Sequence, residues 1–334
     1  MNSSTGRICI DGLVYFSDGD PSPLAEGGVT AANVTVVDMH ADAPRALDQM
    51  GAWLARVQAP DSGWRLVRGA ADIEASRDQG RVGLVMGWQN ALPLGDRLER
   101  VRAFHAIGLR VLQLSYNEAN LVADGCMEPH QGGLTAFGRA LVGELNAVGV
   151  AIDLSHCSEA TGREAASLST RPVFVTHANA RALDDRVRNK GDQTLRAVAA
   201  TGGVIGVSIH GFLNWNGRPD SPPSLENFVR HVRHMVDLCG IDHVGIGTDF
   251  SAVRDDAKVQ AILDMSRDRY AQSGGEYAAA FGNASAARYP VETPTPRHWQ
   301  RLPEALAQGG FSGGEIDAIV GGNFLRALRE VWGG

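Results

Sequence analysis

Hydrophobic residues along the chain fall into short continuous runs, separated by longer segments in which apolar positions recur every three or four residues. The runs are NVTVVDMH (33–40), RVGLVMGWQ (81–89), LRVLQLSYN (109–117), VAIDLSH (150–156), PVFVTHAN (172–179), GVIGVSIH (203–210) and HVGIGTDF (243–250). They are apolar throughout rather than alternating, as strands covered on both faces are. Helical spacing fills the segments 94–108, 136–149 and 225–240, and the second stops at Gly149, a residue suited to a helix C-cap. Strands alternating with helices predict the α/β class, and seven or so βα units predict a closed (β/α)8 TIM barrel rather than an open sheet. IDAIVGGN (316–323) is the candidate eighth strand, followed by a short helix from FLRALREVW. Residues 1–32 read as an N-terminal extension with a small strand pair. Residues 251–301 break the rhythm and read as a βα insertion after the seventh strand, a lid or a dimer contact with its own helices. The whole chain, 1–334, then forms a single barrel domain.

Composition narrows the partners. With 334 residues, 44% of them hydrophobic, the chain can bury a sizeable core. A net charge of −7 without a basic block argues against nucleic acid and against an anionic membrane. Cys9, Cys126, Cys157 and Cys239 are widely spaced, so neither a zinc knuckle, a redox pair nor a disulfide framework is indicated. The N-terminus lacks a charged region followed by an apolar one, and no run is long enough to span a bilayer, so a soluble cytoplasmic protein is expected.

The chemistry lies at the ends of the runs. Barrel enzymes work at the C-terminal ends of their strands. Here those ends carry His40 with Asp42, Gln89, Tyr116, His156, His177, His210 and Asp249. A lone histidine at a strand end is commonly a hydrogen-bonded structural residue; the gathering of ligand types on one rim is the signal. His40 and Asp42, two apart, can share a face, and imidazole with carboxylate suits zinc. His156 and His177 supply a second nitrogen pair. Asp249 stands where a carboxylate holds and deprotonates water, the arrangement of metal-assisted hydrolysis. Other candidates rank lower. Asp38 is a hydrogen-bond partner for His40, and His210 is either structural or substrate-facing. His231 and His234 form a helix packing pair, His243 lies at the wrong end of its strand, and Cys157 is a small buried residue.

These motifs resemble the renal (membrane) dipeptidase family of zinc-dependent barrel peptidases, over most of the chain. VVDMHADAP is similar to the family's D-G-H-N-D-x-P segment. GLTAFGRALVGELNAVGVAIDLSH, PVFVTHANAR, IDHVGIGTDF and VGGNFLRAL are similar to its later segments in order and spacing, including the 21 residues from His156 to His177. The resemblance implies that His40 and Asp42 bind one ion, that His156 and His177 bind a second, and that Asp249 handles the proton of the bridging water. It also implies that Arg188 holds the substrate's carboxylate. A homodimer is the family's usual assembly.

Three positions depart from the family. Gln89, in VMGWQNA, stands where the family has a bridging glutamate, Tyr116 where it has a histidine, and Ser251 where a second aspartate is usual. A carboxamide offers one neutral oxygen and an NH₂ that repels a cation. The site is therefore expected to hold Zn²⁺ as one firm ion, with the second weak or absent; which half keeps it stays open. Tyr116 can support an oxyanion through its phenol. The expected function is a metal-dependent hydrolase acting on a dipeptide or similar small amide with a free carboxylate. Two alternatives stand beside it: a hydrolase of a non-peptide or cyclic amide, and a catalytically inactive ligand-binding member.

Overall fold

In the computed structural model, which describes residues 6–15, 17–214, 223–253, 261 and 288–333, the strands form one parallel sheet. They are β1 Ile10–Tyr15, β2 Ala31–Val37, β3 Trp64–Leu66, β4 Val82–Trp88, β5 Leu109–Gln113, β6 Ala151–Asp153, β7 Val173–Val175, β8 Val204–Val207, β9 Val244–Ile246 and β10 Phe250–Ser251. The order is β10-β1-β2-β4-β5-β6-β7-β8-β9, with β3 beside the first half of β4. β9 and β10 are two pieces of one strand: β9 pairs with β8 and β10 pairs with β1, so the sheet closes on itself as a parallel barrel.

Two expectations are corrected here. The strand that completes the ring is β1, within the expected N-terminal extension; it lies between β2 and β10 and does not form a separate pair. The expected eighth strand, 316–323, is helical: Gly313–Asp317, a π-type turn Ala318–Gly322 and the helix Asn323–Trp332. Ser312 and Glu315 form a reciprocal capping box that starts a helix. Ile316, Ile319, Val320 and Phe324 then follow at helical, not strand, spacing and are buried. Most of the expected 251–301 insertion lies outside the described residues; within its described part, Pro296–His298 is a short 3₁₀ turn.

Alternation along the strands sorts the apolar side chains into two layers. Ile10, Ala31, Val85, Val111, Phe174 and Val204 fill the lower barrel, where Phe324 enters from the C-terminal helix and stacks on Phe174. Val14, Val34, Val36, Leu84 and Met86 face the surrounding helices. Each such side chain contributes roughly 1.5–3 kcal/mol on burial. The barrel centre is so narrow that a Cβ on Gly12, Gly206 or Gly247 would stand 2.5, 2.0 or 1.8 Å from the Thr176 carbonyl oxygen. Among the described residues no helix is long and apolar enough to cross a membrane.

Candidate active site

His156 and His177 follow β6 and β7 and meet at the barrel mouth with their Nε2 atoms 3.0 Å apart. Both are buried, at 6% and 0% exposure, which makes their proton positions consequential. The His156 Nδ1 lies 2.6 Å from the Asn117 amide oxygen, so Nδ1 carries the proton and donates it. The His177 Nδ1 lies 2.8 Å from the Thr176 hydroxyl. That hydroxyl spends its own proton on Asp153 Oδ2, at 2.8 Å, so it accepts from His177. Each imidazole therefore presents an unprotonated Nε2 to the other. Burial, and then the nearby Arg188 charge, hold both imidazoles well below the usual histidine range, so a bridging proton is disfavoured at neutral pH.

The wall behind the pair is stitched by a buried carboxylate. Asp153 Oδ1 accepts from the Ser155 N–H at 3.1 Å, the Ser155 hydroxyl at 2.6 Å and the Thr176 N–H at 2.9 Å. The same device recurs at the barrel seam. Asp11 on β1 accepts from the Thr248 N–H at 2.9 Å and the Thr248 hydroxyl at 2.6 Å, and also from the Leu13 N–H and the Trp299 indole. In both places the residue after the clamped threonine is a site residue: His177 after Thr176, Asp249 after Thr248.

Asp249 adopts a left-handed backbone with φ 60°, and its N–H donates to the Leu13 carbonyl at 3.1 Å. Among the described residues the only other non-glycine with positive φ is Asn117, at 62°. Both lie on the rim, where strained backbone tends to concentrate. Burial pushes the Asp249 carboxyl up to about 7, Arg188 opposes the rise and Asp11 adds to it. Arg188 itself is 1% exposed. Its Nη2 donates to the His177 carbonyl at 2.9 Å and its Nη1 to the Ser155 carbonyl, while its Nε–H is buried without a partner. His210 packs edge-on against Tyr289, whose hydroxyl donates to the Asp249 carbonyl at 2.8 Å.

The other expected site residues fall less evenly. Tyr116 stacks on His156 with ring centroids 4.2 Å apart, and meets His40 edge-on at 6.1 Å. Gln89 is 4% exposed, and its Nε2 donates to the Thr35 hydroxyl at 2.9 Å. His40 and Asp42 lie beyond the end of β2 and are exposed. The Asp42 carboxylate accepts from the Arg45 N–H and caps the helix Ala43–Gln58. Asp38 accepts from the His40 N–H and pairs with Arg45. His231 accepts from the Ala180 N–H, His234 meets Asp192 and His243 donates to the Gly203 carbonyl, all structural contacts. Asn117, Thr176 and Asp153 were not singled out in the sequence; an Asn directly after the candidate Tyr116 was the one available sign, since Asn tolerates the left-handed conformation.

The donor chemistry fits a metal ion in one place. Two imidazole nitrogens sharing a tetrahedral zinc ion stand about 3.3 Å apart, close to the 3.0 Å between the two Nε2 atoms, and each ring's other nitrogen has the hydrogen-bond acceptor that fixes a ligating tautomer. Among the described residues no group of three or more His, Cys, Asp or Glu side chains converges closely enough to hold an ion unaided.

A parallel barrel with imidazoles and a carboxylate at the C-terminal strand ends is the architecture of metal-dependent amide hydrolases. Residues 24–267 match the family described as membrane dipeptidase, peptidase family M19. The chain belongs to that family, whose members are metal-dependent and typically use zinc, and it is a dipeptidase-like metallo-hydrolase. It is 30% identical over 275 residues to an uncharacterized Klebsiella pneumoniae protein in the pqqA 5′ region, covering 80% of this chain and 89% of that one. It is 31% identical over 265 residues to the dipeptidase tcpJ of Claviceps purpurea, covering 78% of this chain but only 54% of the relative, about half its length. The solved amidohydrolase of Pseudomonas aeruginosa superposes with a TM-score of 0.83 at 29% identity, over 99% of this chain and 98% of the other.

Proposed function

We propose that this chain hydrolyses a dipeptide, or a similarly small amide, that carries a free carboxylate, using one divalent ion on His156 and His177. The supporting observation is the pair of unprotonated Nε2 atoms facing one another at 3.0 Å, an arrangement of two lone pairs that a shared cation relieves. Zinc held there would supply Lewis-acid polarisation of a carbonyl and a lowered pKa for bound water. Asp249, with its carboxyl near 7, takes a proton from that water and returns it to the departing amine. Arg188, whose Nε–H has no partner, anchors the substrate carboxylate. Tyr116, whose ring stacks on His156, would supply its phenol O–H to the developing oxyanion. Gln89 serves as a wall of the mouth. The dipeptidase among the relatives supports the substrate class.

The test is a panel of L,L- and L,D-dipeptides, their C-terminal amides, lactams and N-acyl amino acids, with Zn²⁺, Mn²⁺ or Fe²⁺ added. The expected result is cleavage of free-carboxylate amides that disappears in His177→Ala and drops sharply for the C-terminal amides. Equal turnover of the amidated substrates removes the role of Arg188. No hydrolysis by ion-loaded protein removes the proposal.

A further inference from the structure

Closing the barrel with β1 changes the reading of the rim. β1 reads Ile10-Asp11-Gly12-Leu13-Val14-Tyr15. Set on its Asp11-Gly12 pair, the pattern D-G-H-N-D puts its histidine and second aspartate on Leu13 and Tyr15. We infer that the β1 corner of the rim holds no metal ion, because Leu13 and Tyr15 occupy its ligand places and His40 and Asp42 do not stand in for them. The inference refines the one-ion reading above and is separable from it.

Placement supports it. Val14 joins the apolar layer under the outer helices, so Tyr15, the next residue of the strand, faces the other way, while Leu13 lies within the register shift between Asp11 and Val14. Leu13 is buried at 1% exposure yet belongs to neither of the large apolar clusters, as expected of a side chain set among polar rim groups. Its carbonyl accepts from the Asp249 N–H, which fixes this corner beside the candidate base.

The local chemistry agrees. Leucine has no lone pair to donate, and a phenol is a poor ligand near neutral pH. The Arg288 guanidinium lies over the Tyr15 ring at 4.8 Å, with Nε and Nη1 buried and without partners, so a fixed cation already stands at this corner. Gln89, the neighbour that would have to bridge, turns its NH₂ to Thr35. His40 is exposed in a turn beyond β2, and the Asp42 carboxylate is engaged as a helix cap.

The experiment is metal counting by mass spectrometry on the full chain, loaded with Zn²⁺ and dialysed. One ion per chain is expected, lost in His177→Ala and kept in His40→Ala and Asp42→Ala. Gln89→Glu alone leaves the count unchanged, whereas Leu13→His, Tyr15→Asp and Gln89→Glu together raise it by one. Two ions in the wild type, loss of an ion in His40→Ala or Asp42→Ala, or a second ion gained by Gln89→Glu alone overturns the inference. A count of zero in the wild type overturns the proposed hydrolase instead and leaves the β1 inference standing. The single variants decide the matter even where the triple variant does not fold.

Discussion

Thr176→Val is a sharp perturbation of the site because it keeps the side-chain volume and removes one oxygen. That oxygen accepts from His177 Nδ1 at 2.8 Å and donates to Asp153 Oδ2 at 2.8 Å. Its loss leaves a buried imidazole N–H without an acceptor, which costs about 1–3 kcal/mol. It also removes one of four hydrogen bonds to a buried carboxylate, worth about 1.5–3 kcal/mol. Together the metal-free protein should lose about 3–5 kcal/mol, measured by urea denaturation of wild type, Thr176→Val and a Thr176→Ser control that keeps the hydroxyl. Releasing His177 from its tautomer should also weaken zinc binding about 10–100-fold, measured by competition with a chromophoric chelator. A stability loss under about 1 kcal/mol with unchanged zinc affinity would refute the argument that this hydroxyl sets the imidazole.

Two further outcomes follow from the buried charges. Arg188→Lys keeps the charge but removes the Nε–H, so the KM for a carboxylate-bearing substrate should rise about 10–100-fold with kcat nearly unchanged, visible in steady-state kinetics. Burial pushes Asp11 from its ordinary 3.8 up to about 6, so the folded state binds the proton more tightly than the unfolded chain. Stability from this group is full below about pH 4 and declines as pH rises through about 6, by roughly 3 kcal/mol in all at 1.36 kcal/mol per unit. The stability of wild type relative to Asp11→Asn should fall by about that amount between pH 4 and 7, and a flat difference would contradict the shift.

The strands that carry His156, His177 and Asp249 were legible because a strand buried on both faces is a continuous apolar run, and these candidate residues stand within three positions of its end. β1 is hard to read in sequence because IDGLVY holds a buried Asp and an inward glycine, and only the five-residue helix Ser22–Glu26 separates it from β2. Missing it moved the eighth strand to 316–323, where a paired glycine imitates a strand ending although the capping box favours a helix. The pair His40 and Asp42 stands at the end of an apolar run in the sequence, and the structure places both exposed in the turn after Val37. Asn117 and the Asp–Thr clamps could not be read in advance, because each role depends on a partner tens or hundreds of residues away.

The seam between β1 and the last strand has a consequence for how the protein acquires its chemistry. The Asp11–Thr248 contacts join positions 237 apart, and the Asp249 N–H reaches Leu13 across the same seam. Contacts of such separation carry a large loop-closure entropy and form late in folding. The imidazole pair can assemble from adjacent strands while the barrel is still open, but its carboxylate partner arrives only when the two ends of the sheet meet. A refolding chain should therefore form the His156–His177 pair before the Asp249 corner, and any ion the pair holds would bind before the barrel closes.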